Sequence, residues 1–425
     1  MESKLNMETK KKFYYGWVVV FACFLINFVN TGLLVYTFSL FVLPVSTALA
    51  KSPTQIVLAA SMFTAAFAVI SPLIGKQLEK GRIKQLLIAG AILNGGGFML
   101  LSKVNSLSMF YICYIIVGVG AAIVGPAVHS TLPAYWFEKK RGLAVGIANV
   151  GAGAGSIIAP MVITATMTSY DWRMGFFVLG AISAIILCAL VFIIKTKPSE
   201  IGLYPDGLTK EEIDAQPAAE RPVLEGLTRS QAFKTSAFWM ICISFLFIGV
   251  AQLGVLQNQA AFLMSIKFDM IVAARALAYI GSMSILAKFI FGYLADKFNF
   301  KGVFLFGNLL LIIGIVMLSR VTPESNLVYM SAYAILFGLG IGSWYPIAGV
   351  IVGKTFGVKF YAAIYGFIFS IRAIGDIFGA PSISAIASTR GYSFGFLCAA
   401  ACACVSVVLI MLIQTPKEYT KLLEK

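Results

Sequence analysis

Charge is scarce in this 425-residue chain: Asp, Glu, Lys and Arg together make up 12% of it, against about a quarter in soluble domains. That shortage excludes a water-soluble enzyme or nucleic-acid binder, because so few polar groups cannot cover a chain that is 59% hydrophobic with a mean hydropathy of +0.89. Histidine is almost missing, His129 being the one example, which removes His-based metal clusters. The seven cysteines lie inside apolar runs and form no CxxC, so they read as small buried hydrophobes, neither a disulfide framework nor a metal site. No G-x-x-x-x-G-K-[S/T] phosphate loop occurs, so the chain does not draw on ATP, and no cofactor is expected. A small-residue cleavage site is also lacking where the charged N-terminal segment enters its first apolar run, which reads as a first spanning helix and not as a removable signal.

Long apolar runs are what the chain does have. A bilayer core about 30 Å thick needs about 20 apolar residues in a helix. Runs of that kind fall near 14–43, 54–75, 84–102, 108–136, 141–167, 174–195, 234–262, 270–295, 302–320, 327–353, 360–388 and 393–413. The expected fold class is an all-α membrane protein of twelve transmembrane helices in two pseudo-symmetric six-helix bundles. Of the 33 Lys and Arg, 24 fall on one side of this map and six, one per loop, on the other. The positive-inside rule then places both termini in the cytoplasm. Topology alone explains the net charge of +15, so neither nucleic acid nor any other polyanion is needed as a partner. The longest loop, 196–233, holds four prolines and seven acids without an apolar stripe. It reads as a solvated cytoplasmic linker between an N-terminal bundle, 1–195, and a C-terminal bundle, 234–425.

The halves echo each other. Gly75-Lys-Gln-Leu-Glu79-Lys, with Lys84 five positions after the acid, follows the second run; Gly292-Tyr-Leu-Ala-Asp296-Lys, with Lys301, follows the eighth. Gly146 and Pro160 in the fifth run are matched by Gly366 and Pro381 in the eleventh. Parallel six-helix repeats with a site at the midplane between them are a transporter architecture. Taken singly, the glycines read first as helix-packing positions.

On these residues the chain resembles the major facilitator superfamily over essentially its whole length. Within it, Tyr15-Gly16-Trp17 and the stretch from Tyr135-Trp136-Phe137 to Gly146 are similar to signatures of the monocarboxylate transporter and oxalate/formate antiporter branch. Ala287-Lys288-Phe289-Ile290-Phe291-Gly292 stands where that branch carries a substrate-binding Arg, and the segment around Arg372 stands where the antiporters carry a substrate-binding Lys. The resemblance thus implies two substrate-binding cations with their identities exchanged. It also implies a cytoplasmic gate at Gly75, Glu79, Lys84, Gly292, Asp296 and Lys301. Tyr345 matches one position of the antiporters' aromatic cage, whereas Pro126 and Ala152 stand where those proteins have Tyr. A cavity wider than one built for a two-carbon ligand follows.

Independent of any family, an ionised side chain at the bilayer centre costs at least ~2.5–3.5 kcal/mol and needs a compensating role. Lys288 lies eight residues from Asp296 and Arg372 twelve from Phe360, about 12 and 18 Å from the same end. Their repeat mates, Ser71 and Ala152, are uncharged, so the fold itself does not require charge there. Arg275 lies near the outer surface, where it can snorkel to water. Two cations facing one cavity want an anion, and a carboxylate suits a guanidinium and an ammonium together. Asp376, one turn after Arg372, reads either as an intrahelical partner that neutralises Arg372 or as a proton carrier. His129 reads either as a packing residue or as a proton relay. Asn27, Asn30, Gln252 and Gln257 are polar positions that line the cavity or hold helices together.

The sequence therefore leads to a secondary active transporter of small carboxylates, with monocarboxylates favoured, working by alternating access as a monomer in the plasma membrane. Protons or a counter-anion would be the coupled species. The alternatives are an oxalate/formate-like exchanger and a non-transporting sensor that keeps the transporter fold; a membrane enzyme lacks a catalytic constellation.

Overall fold

A computed structural model describes residues 14–79, 81–137, 140–207, 226–357 and 360–414. Among them are eleven helices long and apolar enough to cross a membrane, together with one shorter apolar helix, Leu107–Ile123. Their order makes twelve spans: Gly16–Leu49, Pro53–Glu79, Ile83–Leu101, Leu107–Ile123, Arg141–Ser169, Trp172–Ile193, Ser236–Ser265, Met270–Lys297, Phe300–Ser319, Leu327–Phe356, Tyr361–Arg390 and Tyr392–Leu412. No sheet is present among the described residues; one isolated bridge pairs Gly226 with Gly357. The chain forms two repeated bundles, each with its own apolar core.

Each element starts and stops for local reasons. Side chains of Ser106, Asp171, Thr235 and Asn326 accept the backbone N–H three residues on and so cap their helices. Gly391, at φ 85°, turns the chain between the last two spans in a conformation that only glycine adopts freely. Span ends differ from the apolar runs in two places. The first span passes Pro44 and ends at Leu49, because neighbouring helices compensate for the one hydrogen bond that proline removes, and Ala50 then takes the left-handed conformation. The fourth run is broken: Gly125 is extended and Pro126 starts a separate helix, Pro126–Trp136, which carries His129.

Two spans contain π-helical segments, Phe28–Leu33 in the first and Ala91–Gly95 in the third. Such segments concentrate at functional sites, and the first one presents Asn30. Small residues let the backbones cross closely: a Cβ on Gly32 would strike the backbone of Gly155.

We call the face bearing the 24 basic loop and tail residues the basic face. Several described contacts between the halves lie towards the opposite face. The Thr54 and Ser384 hydroxyls are 3.1 Å apart, Ser61 donates to the Ile377 carbonyl, and Gly281 packs on Ser156. Within the expected linker, Pro198–Ile201 and Pro205–Gly207 form short 3-10 turns and Arg229–Phe233 a short helix; 208–225 lie outside the described residues.

Candidate functional site

Three spans of the C-terminal half bring the two intramembrane cations to one aromatic ring. Lys288 on the eighth span places its ammonium 5.3 Å from the centre of the Tyr345 ring, and Arg372 on the eleventh places its guanidinium 5.9 Å from the same centre. Tyr345 is 44% exposed although it sits deep in the tenth span. Since both cations lie over this ring, that exposed surface belongs to a central space between the halves and not to lipid.

The two cations are held differently. Arg372 is buried and fixed from three sides: its guanidinium lies 3.9 Å from the Trp344 ring, and Nη2 donates to Gln252 Oε1 at 3.2 Å and lies 3.3 Å from Asp376 Oδ1. Its Nε and Nη1 have no acceptor among the described residues. A buried guanidinium with unused donors is costly and ready for an anionic oxygen. Lys288 has no hydrogen bond or ion pair among the described residues. With the Arg372–Asp376 pair closed, the site carries one uncompensated positive charge, that of Lys288. Gly249 lets the seventh span approach the pair, since a Cβ there would come within 2.9 Å of Asp376 Oδ1.

The N-terminal half adds groups across the gap. Among the described residues, His129 is buried with no hydrogen-bond partner for its Nδ1, and the charge of Lys288 acts on it from the other half. Asn30 is buried, and its Oδ1 has no partner among the described residues. Gln257 bonds the Val35 carbonyl at 3.4 Å through Nε2, and its Oε1 has no partner among the described residues. Asn27 is not part of this grouping: its amide donates to Asn149 Oδ1 at 3.0 Å and so ties the first span to the fifth.

The residues expected at the gate are only partly described. Glu79 and Asp296 have side chains outside the described residues, as does Gly75 in its surroundings. Lys84 is exposed, and a Cβ on Gly292 would come 3.8 Å from the Pro346 side chain. Lys301 donates to the Met411 carbonyl at 3.0 Å and to that of Ile413, closing the end of the twelfth span.

Trp344 escapes a reading of the sequence, because a tryptophan in an apolar span is unremarkable there; its adjacency to Tyr345 is the one signal available. The two signature stretches meet at the basic face. The Trp17 and Phe137 ring centroids lie 4.7 Å apart and those of Tyr15 and Trp136 5.6 Å apart, both pairs tilted, while the Tyr15 hydroxyl donates to the Ile193 carbonyl and Trp136 Nε1 to that of Lys195. These contacts pin the start of the first span, the end of the Pro126–Trp136 helix and the end of the sixth span together, away from the cations.

Comparison with known proteins agrees with this architecture. The Major Facilitator Superfamily model matches residues 20–283 and 265–425. Monocarboxylate transporter 12 of Xenopus laevis is 25% identical, with 90% of this chain and 85% of that protein covered. The oxalate:formate antiporter of Oxalobacter formigenes is 22% identical, covering 73% of this chain and 71% of its own. Among solved structures, a bacterial homolog of the human lysosomal transporter Spinster, in an inward-facing and unoccupied conformation, superposes with a TM-score of 0.72 at 15% identity, covering 96% of this chain and 98% of that one. At that identity the likeness concerns the fold.

Proposed function

Because the chain belongs to the Major Facilitator Superfamily, a transporter family and not an enzyme family, we propose that it is a secondary active carrier of small organic anions, monocarboxylates above all. The observation that carries this reading is the convergence of Lys288 and Arg372 on Tyr345, with Nε and Nη1 of Arg372 lacking acceptors among the described residues. The basic face is cytoplasmic in this reading, and the protein sits in the plasma membrane with both termini inside. Contacts between the halves at the opposite face then make the present conformation inward-facing, closed outside by Thr54, Ser61, Gly281 and their partners.

One carboxylate suits the charge available. With Asp376 on Arg372, a monoanion neutralises Lys288 and takes hydrogen bonds from the free edge of the guanidinium. A dianion such as oxalate would need Asp376 protonated or displaced. Since similarity to the antiporter remains, exchange is the second reading, and proton symport is the favoured one. Uptake into proteoliposomes under an imposed pH gradient tests both. Lactate- and pyruvate-sized acids should accumulate and should outcompete oxalate; preferential uptake of oxalate, or no carboxylate uptake, contradicts the proposal.

A further inference from the structure

One face of the eleventh span carries more than Arg372. Tyr361, Tyr365 and Phe369 precede it at spacings of four, four and three residues, so all four side chains leave the helix within about 80° of one another. The rings make a continuous row from the basic face to the cations. Tyr361 and Tyr365 have centroids 5.3 Å apart in near-parallel planes, Tyr365 and Phe369 lie 5.8 Å apart, and Phe369 lies 5.9 Å from Trp344, the ring that covers the Arg372 guanidinium. Glycines of the tenth span leave room for the row: a Cβ on Gly349 would come 3.0 Å from the Tyr361 hydroxyl, and one on Gly353 3.9 Å from the Tyr361 ring. From Tyr361 to Arg372 the helix climbs about 16.5 Å.

Both phenols at the start of the row are short of a partner. A tyrosine hydroxyl inside a protein usually finds an acceptor, as Tyr329 does at the Met317 carbonyl and Tyr333 at Gln259. Tyr361 and Tyr365 are half-buried, and neither hydroxyl has a hydrogen bond among the described residues. Neither oxygen is sealed off from a ligand. The charge of Arg372 acts on the Tyr365 hydroxyl from two turns along the same face.

We propose that the Tyr361 and Tyr365 hydroxyls form a second, transient station for the substrate carboxylate, between the cations and the basic face. The inference rests on the carboxylate reading of Lys288 and Arg372. An anion that leaves those two cations in one step gives up its charge-assisted hydrogen bonds together, where scarce water makes the loss costly. Phenolic O–H groups four residues apart, about 6 Å along the helix, divide that step: the carboxylate shares Arg372 with Tyr365, then Tyr365 with Tyr361. Neutral donors suit this role, because they hold an anion more weakly than a guanidinium or an ammonium does. As in channels, a site on a path must bind firmly enough to be entered and weakly enough to be left.

Two measurements on the full chain separate this station from the cationic site: lactate affinity by calorimetry, and the rate of lactate-for-lactate exchange in proteoliposomes. Tyr365→Phe keeps the ring and its stacking and removes only the O–H. It is expected to keep the parental affinity within about twofold and to exchange about tenfold more slowly, the effect of losing one donor to a charged acceptor. The double variant Tyr361→Phe/Tyr365→Phe should be slower still, again with its affinity kept. Exchange at the parental rate in the double variant overturns the inference and leaves the carboxylate carrier standing, since the phenols would then only pack the tenth span against the eleventh. A Tyr365→Phe protein whose affinity falls as far as its rate overturns it too, because Tyr365 would belong to the cationic site itself. A parent protein that binds neither lactate nor pyruvate removes the carboxylate reading, and the station with it.

Discussion

Lys288 and Arg372 carry the same sign and do different work. The guanidinium is clamped by Trp344, Gln252 and Asp376, whereas the ammonium has no ion pair among the described residues and lies over a ring. Lys288→Ala is expected to abolish uptake while the protein inserts and purifies normally, which size-exclusion chromatography and proteoliposome uptake check together. Trp344→Leu removes a buried cation–π contact of about 0.5–2 kcal/mol, so substrate affinity by calorimetry should weaken by roughly twofold to thirtyfold. Asp376 tests coupling. A bound anion competes with Asp376 for the guanidinium, and a displaced Asp376 would take up a proton, linking the two bindings. Asp376→Asn should lose accumulation driven by a pH gradient yet keep substrate-for-substrate exchange; accumulation at the normal level would make Asp376 a structural partner only. The three charged groups were legible in the sequence because charge inside an apolar run has few explanations. Trp344 was not, because a ring in a spanning helix looks the same whether it faces lipid, a neighbour or a ligand.

Helices in this protein approach through their glycines. Gly32 and Gly155 bring the first and fifth spans into backbone contact, and Asn27 with Asn149 reinforces the crossing. Gly155→Val has no room for its side chain, and overpacking costs about 1–3 kcal/mol or more. The expected result is a lower thermal unfolding temperature with an unchanged substrate preference in whatever protein folds; a Gly155→Val protein as stable as the parent would mean that the crossing is looser than drawn. Span number and order could be read from hydropathy because the bilayer demands about 20 apolar residues each time. Hydropathy is blind to a hydrogen-bond shift within an apolar run, so neither the π segment that presents Asn30 nor the break before Pro126 was visible.

The two halves meet across a central space, and the described seal lies at the face opposite the basic one. Thr54 and Ser384 hydroxyls, 3.1 Å apart on different halves, offer a place to lock it. A disulfide needs Cβ atoms about 3.5–4.5 Å apart, so the double variant Thr54→Cys/Ser384→Cys should cross-link under oxidation and halt uptake, with activity returning on reduction. Full transport by the cross-linked protein would show that this face need not open. The repeat was legible in the matched glycine–acid–lysine segments, but the side on which the halves close was not, because closure depends on contacts between distant helices of similar composition.

The account stands on a carboxylate held jointly by Lys288 and Arg372, and a thermal-shift series tests that claim most directly. A ligand that binds the folded state alone raises stability by mass action, by about 2.7 kcal/mol at a hundredfold excess over its dissociation constant. Monocarboxylates should raise the unfolding temperature of the parent protein and leave Lys288→Ala and Arg372→Ala unmoved. An equal shift in either variant would contradict the shared site, and a parent protein indifferent to every carboxylate would contradict the substrate class.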